Sequence, residues 1–256
     1  MTKFKATFTF FLVLLAVVAF PVAGETPQEL LLRIDQARNV VDLRCDVTLT
    51  SYDGEKILEH EKLAIQVKTT SKENKTLVWF AAPASVKGRR LLMAGNTVYL
   101  LFPATSNPIR LSPLQVLVGQ ASNGDVARTG FAQEFLPQKL TRTSLDGQAC
   151  WLFELTAQPD RQTGTYAKAR LWVRSKDLRP LKAEFLTASD ELLKIARYSD
   201  WRQIDGKQFP CKLVITEADN PKRYTVLTYS HIASHPVPSS LFERSALSFW
   251  VAGGSQ

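Results

Sequence analysis

The chain has 256 residues, is 45% hydrophobic and carries a net charge of +8, from 32 basic and 24 acidic residues. That length suits one large domain or two small ones. Lys and Arg are scattered between apolar positions and form no long run, which argues against nucleic acid as a partner, although a basic surface helps docking on anionic lipid headgroups.

Lys3 and Lys5 precede an almost unbroken apolar run over residues 8–20, which Pro21 ends. At about 13 residues the run is too short to span a bilayer comfortably, and its flanks are those of a signal peptide. Val22, Ala23 and Gly24 offer small residues before a cut ahead of Glu25, so residues 1–24 are expected to be a leader and 25–256 a single exported domain. No cysteine follows closely, so no lipid-attachment box is present. Loss of Lys3 and Lys5 lowers the charge to +6. Three cysteines, Cys45, Cys150 and Cys211, enter an oxidising compartment with no metal or redox spacing. All lie beside apolar strand positions, as buried thiols do. A bridge between Cys150 and Cys211 stays open, because sequence does not supply the Cα separation.

Thr26-Pro27-Gln28-Glu29 is a capping box, and Leu30, Ile34, Ala37 and Val41 continue as a helical stripe ending near Val40. Arg33, Asp35, Gln36 and Arg38 are expected to point elsewhere. From Leu43 the period becomes two, and Asp53-Gly54 turns the chain towards a second strand marked by Leu63, Ile65 and Val67.

Residues 77–82, 87–94 and 97–102 then read as three extended segments, the last two joined by Gly95-Asn96. Leu77, Trp79 and Ala81 alternate with Val78 and Phe80, and Val98, Leu100 and Phe102 alternate with Tyr99 and Leu101. Strands apolar on both faces need covering on both. One cover is an ordinary core; the other is a helix, a second sheet or a ligand.

Between Ser112 and Pro137 the strand pattern lapses. Short helical pieces are expected around Leu114, Val116, Leu117 and Val118, ended by Gly119, and around Phe131, Phe135 and Leu136. Such a segment is a lid, a binding loop or a plug at one end of a barrel. Asp125 and Arg128 fall inside it and are spaced for a local salt bridge. Strands return over 139–145, 150–156, 167–175, 181–187, 192–198, 209–216 and 224–232, followed by a capped turn at Ser239-Ser240-Leu241-Phe242 and a frayed tail from Gly253. Roughly a dozen strands with regular turn signals indicate an antiparallel barrel or sandwich.

Catalytic signals are missing. His231 and His235 are four apart but fall at a strand end before Pro236, so no metal site is expected. No Gly-x-Ser-x-Gly elbow, phosphate loop or dinucleotide fingerprint occurs, so neither cofactor nor enzyme activity is expected.

One resemblance runs through nearly all of the expected mature chain. The order of capped helix, half-buried hairpin, Trp79…Pro83…Lys87-Gly88…Leu91-Leu92, Tyr99-Leu100…Pro103 and Arg110-Leu111 resembles the outer-membrane lipoprotein-sorting protein family. So do Asp146-Gly147…Cys150-Trp151-Leu152-Phe153-Glu154-Leu155, the run from Tyr166 to Val173, Lys194, and the Asp205-Gly206…Pro210 turn. The family is similar to the carrier LolA and its receptor LolB. The resemblance implies a mainly β fold: an incomplete, strongly curved antiparallel β-barrel closed by α-helices over an apolar cavity.

It also implies a periplasmic protein that holds lipid or lipoprotein acyl chains for transfer to the outer membrane, touching membranes transiently. The alternative is a non-enzymatic accessory or sensor module working with an inner-membrane exporter. Many relatives read Gly-Ser-Asp-Phe where this chain reads Asn123-Gly124-Asp125-Val126, so ligand identity does not carry over. Trp79, Phe80, Tyr99, Leu101, Leu117, Phe131, Phe135 and Trp172 are expected to supply the cavity lining. They lie on strands with no wet face or in the lapse segment, and each is also eligible as plain core.

Overall fold

Thr26 opens α1 (Pro27–Arg38) with the expected box: its N–H donates to Glu29 Oε2 at 2.8 Å, and the Glu29 N–H donates to Thr26 Oγ1 at 3.3 Å. The helix stops at Asn39, whose backbone turns extended. Its buried face differs from the expected stripe. Leu30, Leu31 and Ile34 are buried together with Asp35 and Arg38, whereas Val41 is exposed. Two charged side chains go inside because each finds partners there, as described below. In this computed structural model, residues 24–69, 74–94, 97–112, 115–122, 125, 130–159 and 166–249 are described. The expected leader, the Gly95-Asn96 turn, Arg128 and the Gly253 tail lie outside the described residues.

After the helix come β1 (Leu43–Asp53), β2 (Lys56–Thr69), β3 (Asn74–Ala82), β4 (Arg90–Ala94), β5 (Thr97–Leu101) and β6 (Ile109–Leu111). A two-stranded ribbon follows, β7 (Val116–Val118) and β8 (Ala121–Ser122). The chain then runs through β9 (Phe135–Leu145), β10 (Gln148–Ala157), β11 (Lys168–Arg174), β12 (Pro180–Leu186), β13 (Leu192–Ile204), β14 (Lys207–Glu217) and β15 (Arg223–Ser234). All but the ribbon join one 13-stranded antiparallel sheet in the order β6-β5-β4-β3-β2-β1-β15-β14-β13-β12-β11-β10-β9. Apart from β1 with β15, neighbours in space are neighbours in sequence. Short polar turns at Gly54, Gly147 and Gly206, each with positive φ, make those reversals.

The sheet curls round α1. The helix packs against both β14 and the edge strand β9, which are five strands apart in the sheet order. The two edges, β6 and β9, do not pair with one another, so the barrel is incomplete. Side chains on the inner face, such as Val47, Ile65, Phe153, Leu171 and Ile215, meet Leu30, Leu31 and Ile34 in one continuous core.

The strands apolar on both sides acquire their second cover from the end of the chain. Leu77, Leu92 and Leu101 on the outer face are buried with Val237, Phe242 and Leu247. The last two residues come from 3₁₀ turns at Ser239–Phe242 and Arg244–Ser248. Arg90 ties this strap down, donating from Nη1 to the carbonyl oxygens of Leu247 and Ser248 at 2.7 and 2.9 Å.

Two expected helical pieces are corrected. Val116 and Val118 belong to β7, where β-branched side chains fit an extended backbone better than a helix. Around Phe131 the chain makes a single turn, with the N–H groups of Glu134 and Phe135 donating to the Phe131 carbonyl, and then enters β9. Pro137 is tolerated there because β9 is an edge strand. Closure by several helices is likewise not seen: among the described residues α1 is the one α-helix that packs on the inner face, and the β7–β8 ribbon also covers it.

Candidate functional site

The ribbon is pinned across the inner face at its turn. Gly119 has a φ of 52°, and a Cβ there would lie 2.5 Å from Thr225 Oγ1 and also collide with Ser51. The Gly119 N–H donates to Glu59 Oε2 at 2.9 Å and the Gln120 N–H to Thr225 Oγ1 at 2.7 Å. Beyond the ribbon, Asp125 is buried in its own network. It accepts from Ser122 N and Oγ at 2.9 and 2.8 Å, from the Tyr166 hydroxyl at 2.8 Å and from Lys194 Nζ at 3.1 Å. The ion pair at Asp125 is therefore made with Lys194 on β13; Arg128 is not among the described residues.

Among the described residues two cavities lie on the inner face, Asp125 lining one and Gln115 and Leu117 the other. The first is about 80 Å³ and sits beside the end of α1. Val40, Leu43, Val67, Phe185, Ala196, Leu213 and Ile215 form its apolar wall, with Arg38, Asp125 and Tyr229 as polar members. Asn39, Thr69, Tyr198 and Phe209 also line it and are partly exposed. The second, about 190 Å³, lies over β3 to β6 and is lined by Phe80, Arg89, Leu91, Leu100, Phe102, Leu111, Gln115 and Leu117.

Arg38, which lines the first cavity, is paired with the buried Asp35. Asp35 Oδ2 accepts the N–H groups of Phe131 and Ala132, both at 2.7 Å, and Oδ1 accepts Arg38 Nε and Nη2, both at 3.3 Å. Burial raises the Asp35 carboxyl above its ordinary range, against the opposing pull of Arg38 and the two amides. Burial also raises the phenol of Tyr229. Gly130 leaves room for this contact, since a Cβ there would lie 2.7 Å from Asp35 Oδ2.

The eight residues expected at the cavity divide between four places. Phe80 and Leu117 line the second cavity. Phe131 and Phe135 are fully buried near the first; Phe131 stacks on its wall residue Phe185, with ring centroids 6.5 Å apart. Leu101, Trp79 and Tyr99 pack with the strap on the outer face, where Arg90 lies 4.8 Å over the Trp79 ring and Arg244 lies 5.4 Å over Tyr99. Trp172 is partly exposed, with Lys182 Nζ 4.6 Å over its ring. Sequence reasoning missed Asp35 and Arg38. Their positions four and seven after Leu31, on one helical face, were the available signal.

No group of three or more metal-ligating side chains occurs among the described residues. His231 pairs instead with Asp46, Nδ1 to Oδ2 at 3.0 Å, on the surface. The cysteines Cys45, Cys150 and Cys211 are all buried and unbridged. No described helix is long and apolar enough to cross a membrane.

Residues 72–248 match the model of a family whose members are described as uncharacterized proteins. No curated protein matches the chain significantly. Among solved structures, a LolA superfamily protein from Nitrosomonas europaea is 32% identical, with a TM-score of 0.78 over 86% of this chain and 98% of its own. A DUF1329 family protein from Desulfovibrio piger is 24% identical, with a TM-score of 0.74 over 86% of this chain and 97% of its own. A domain from Vibrio parahaemolyticus classed as an outer-membrane lipoprotein-sorting protein shares the fold at 17% identity, with a TM-score of 0.75 over 86% of this chain and 97% of its own. On the identity and coverage of the Nitrosomonas protein the chain belongs to the LolA superfamily.

Proposed function

We propose that this protein is a periplasmic carrier that shelters an acyl chain of a lipid or lipoprotein on the inner face of its sheet. The observation that carries the reading is the apolar cavity beside α1, walled by Val40, Val67, Leu213 and Ile215. Membership of the LolA superfamily supports it. An acyl chain of about a dozen methylenes gains roughly 10 kcal/mol on leaving water, at about 0.8 kcal/mol for each. A bilayer offers a similar gain, so transfer between carrier and membrane runs close to balance and needs no catalytic residue. In this reading residues 1–24 are a removed leader and 25–256 fold as one domain. Phe131 and Phe135 at the first cavity, and Phe80 and Leu117 at the second, are the expected lining residues that the reading retains.

At about 80 Å³ the first cavity holds a few waters or the end of one chain, so a whole chain requires Tyr198 and Phe209 to swing outwards. That small volume favours a second reading, an interaction module serving an inner-membrane exporter. Purification from the periplasm without detergent, solvent extraction and mass spectrometry separate the two. Recovered lipid at near one mole per mole supports the carrier. A lipid-free protein that also fails to take up the neutral probe Nile red leaves the interaction module.

A further inference from the structure

Within the apolar wall of the first cavity, one cation is under-used. The Arg38 side chain is 9% exposed, lies 5.5 Å from the centroid of the Phe131 ring, and lines the cavity. Its hydrogen bonds both go to a single oxygen, Asp35 Oδ1, and both are long at 3.3 Å. The stronger bonds of Asp35 are spent on the Phe131 and Ala132 amides at 2.7 Å. Arg38 Nη1 has no hydrogen-bond partner among the described residues. The acid in the wall, Asp125, is already satisfied by Lys194, Tyr166 and Ser122. A guanidinium set among apolar side chains, with a donor not taken up by any described residue, has room for an acceptor lying in the cavity.

Resting on the carrier reading, we propose that the ligand of this cavity is a single-chain lipid with an anionic oxygen head, its carboxylate or phosphate received by Arg38. The chain lies along Val67, Leu213 and Ile215. The narrowness of the cavity selects one chain, and a planar guanidinium is suited to paired oxygens. Neutral lipids of the same chain length lack the acceptor charge and leave Arg38 as it was.

The exported chain, freed of lipid, is loaded with Nile red, and displacement is measured with palmitate, palmitoyl lysophosphatidate, hexadecanol and hexadecylammonium. Palmitate or lysophosphatidate is expected to displace the probe roughly 10- to 100-fold more tightly than hexadecanol, the range of a hydrogen-bonded charge. A preference for palmitate identifies a carboxylate head, and one for lysophosphatidate a phosphate head. In the double variant Asp35→Asn/Arg38→Met, which removes both buried charges together, the anions fall to the hexadecanol level; a thermal melt confirms that it is folded. Equal displacement by all four amphiphiles in the wild type overturns the inference and leaves the carrier reading intact. So does tightest binding of hexadecylammonium. Failure of Nile red to bind at all removes the carrier reading itself. The wild-type comparison decides the matter even where the variant does not fold.

Discussion

Asp35 Oδ2 accepts the Phe131 N–H at 2.7 Å, although 96 positions separate the two residues in the chain. This contact, doubled by the Ala132 N–H, fastens the turn that leads into β9 to the helix inside the sheet. Asp35→Ala removes both bonds and leaves Arg38 buried without its counter-charge, so a loss of about 3–5 kcal/mol is expected in urea unfolding. Asp35→Asn keeps an acceptor oxygen for the amides and is expected to cost about 1–2 kcal/mol.

Gly119 is expected to tolerate no side chain. Its φ of 52° and the closeness of Ser51 and Thr225 mean that Gly119→Ala must lift the ribbon from β1 and β15. A loss of about 2 kcal/mol or more is expected. Amide hydrogen exchange should quicken at Gln120, whose N–H is held by Thr225 Oγ1 at 2.7 Å.

Leu101→Arg places a charge in the outer cluster, where Leu101 is 3% exposed beneath the strap. The expected result is a loss of about 3 kcal/mol or more, read from thermal or urea melts. Phe242→Ala, on the facing side of the same contact, should cost about 3–5 kcal/mol by leaving a cavity.

How much was readable in advance follows the range of the interaction. The capping box of α1 and the alternation along β1 are local patterns, and both appear in the structure as written in the sequence. The double-sided apolar character of β3 to β5 foretold a second cover without saying which part of the chain supplies it. Val116 and Val118 were misread because three apolar residues fit either period. Arg38 is expected to point away from the apolar stripe of α1; its spacing from Leu31 hints at burial, but nothing near it in sequence announces the Phe131 ring or the cavity beside it. The two cavities are made by residues from strands far apart in sequence, so spacing alone does not assemble them.

Glu61 gives the molecule a pH response near neutrality. Burial, and secondarily the charge of Glu59, push its carboxyl up to about 7, with Arg89 opposing. A carboxyl raised in the folded state contributes stability that is fully present below its unfolded value of 4.5 and is lost as pH rises through about 7. Glu61→Gln should therefore match the wild type in urea midpoint at pH 4, exceed it increasingly between about pH 5 and pH 7, and keep a constant advantage above that.

The pairing of β1 with β15 also sets when folding can finish. Leu43 lies opposite Ser234, and the Ser234 hydroxyl donates to the Val41 carbonyl at 2.8 Å across 193 positions of chain. The middle of the sheet is thus sewn from the first and last strands, while each flank is a run of local hairpins. Hairpins form quickly, but a seam of such long range closes slowly and only after the last strand has emerged. A chain passing through a membrane from its N-terminus would stay divided into two loose wings until translocation was nearly over, and would complete its interior on the far side.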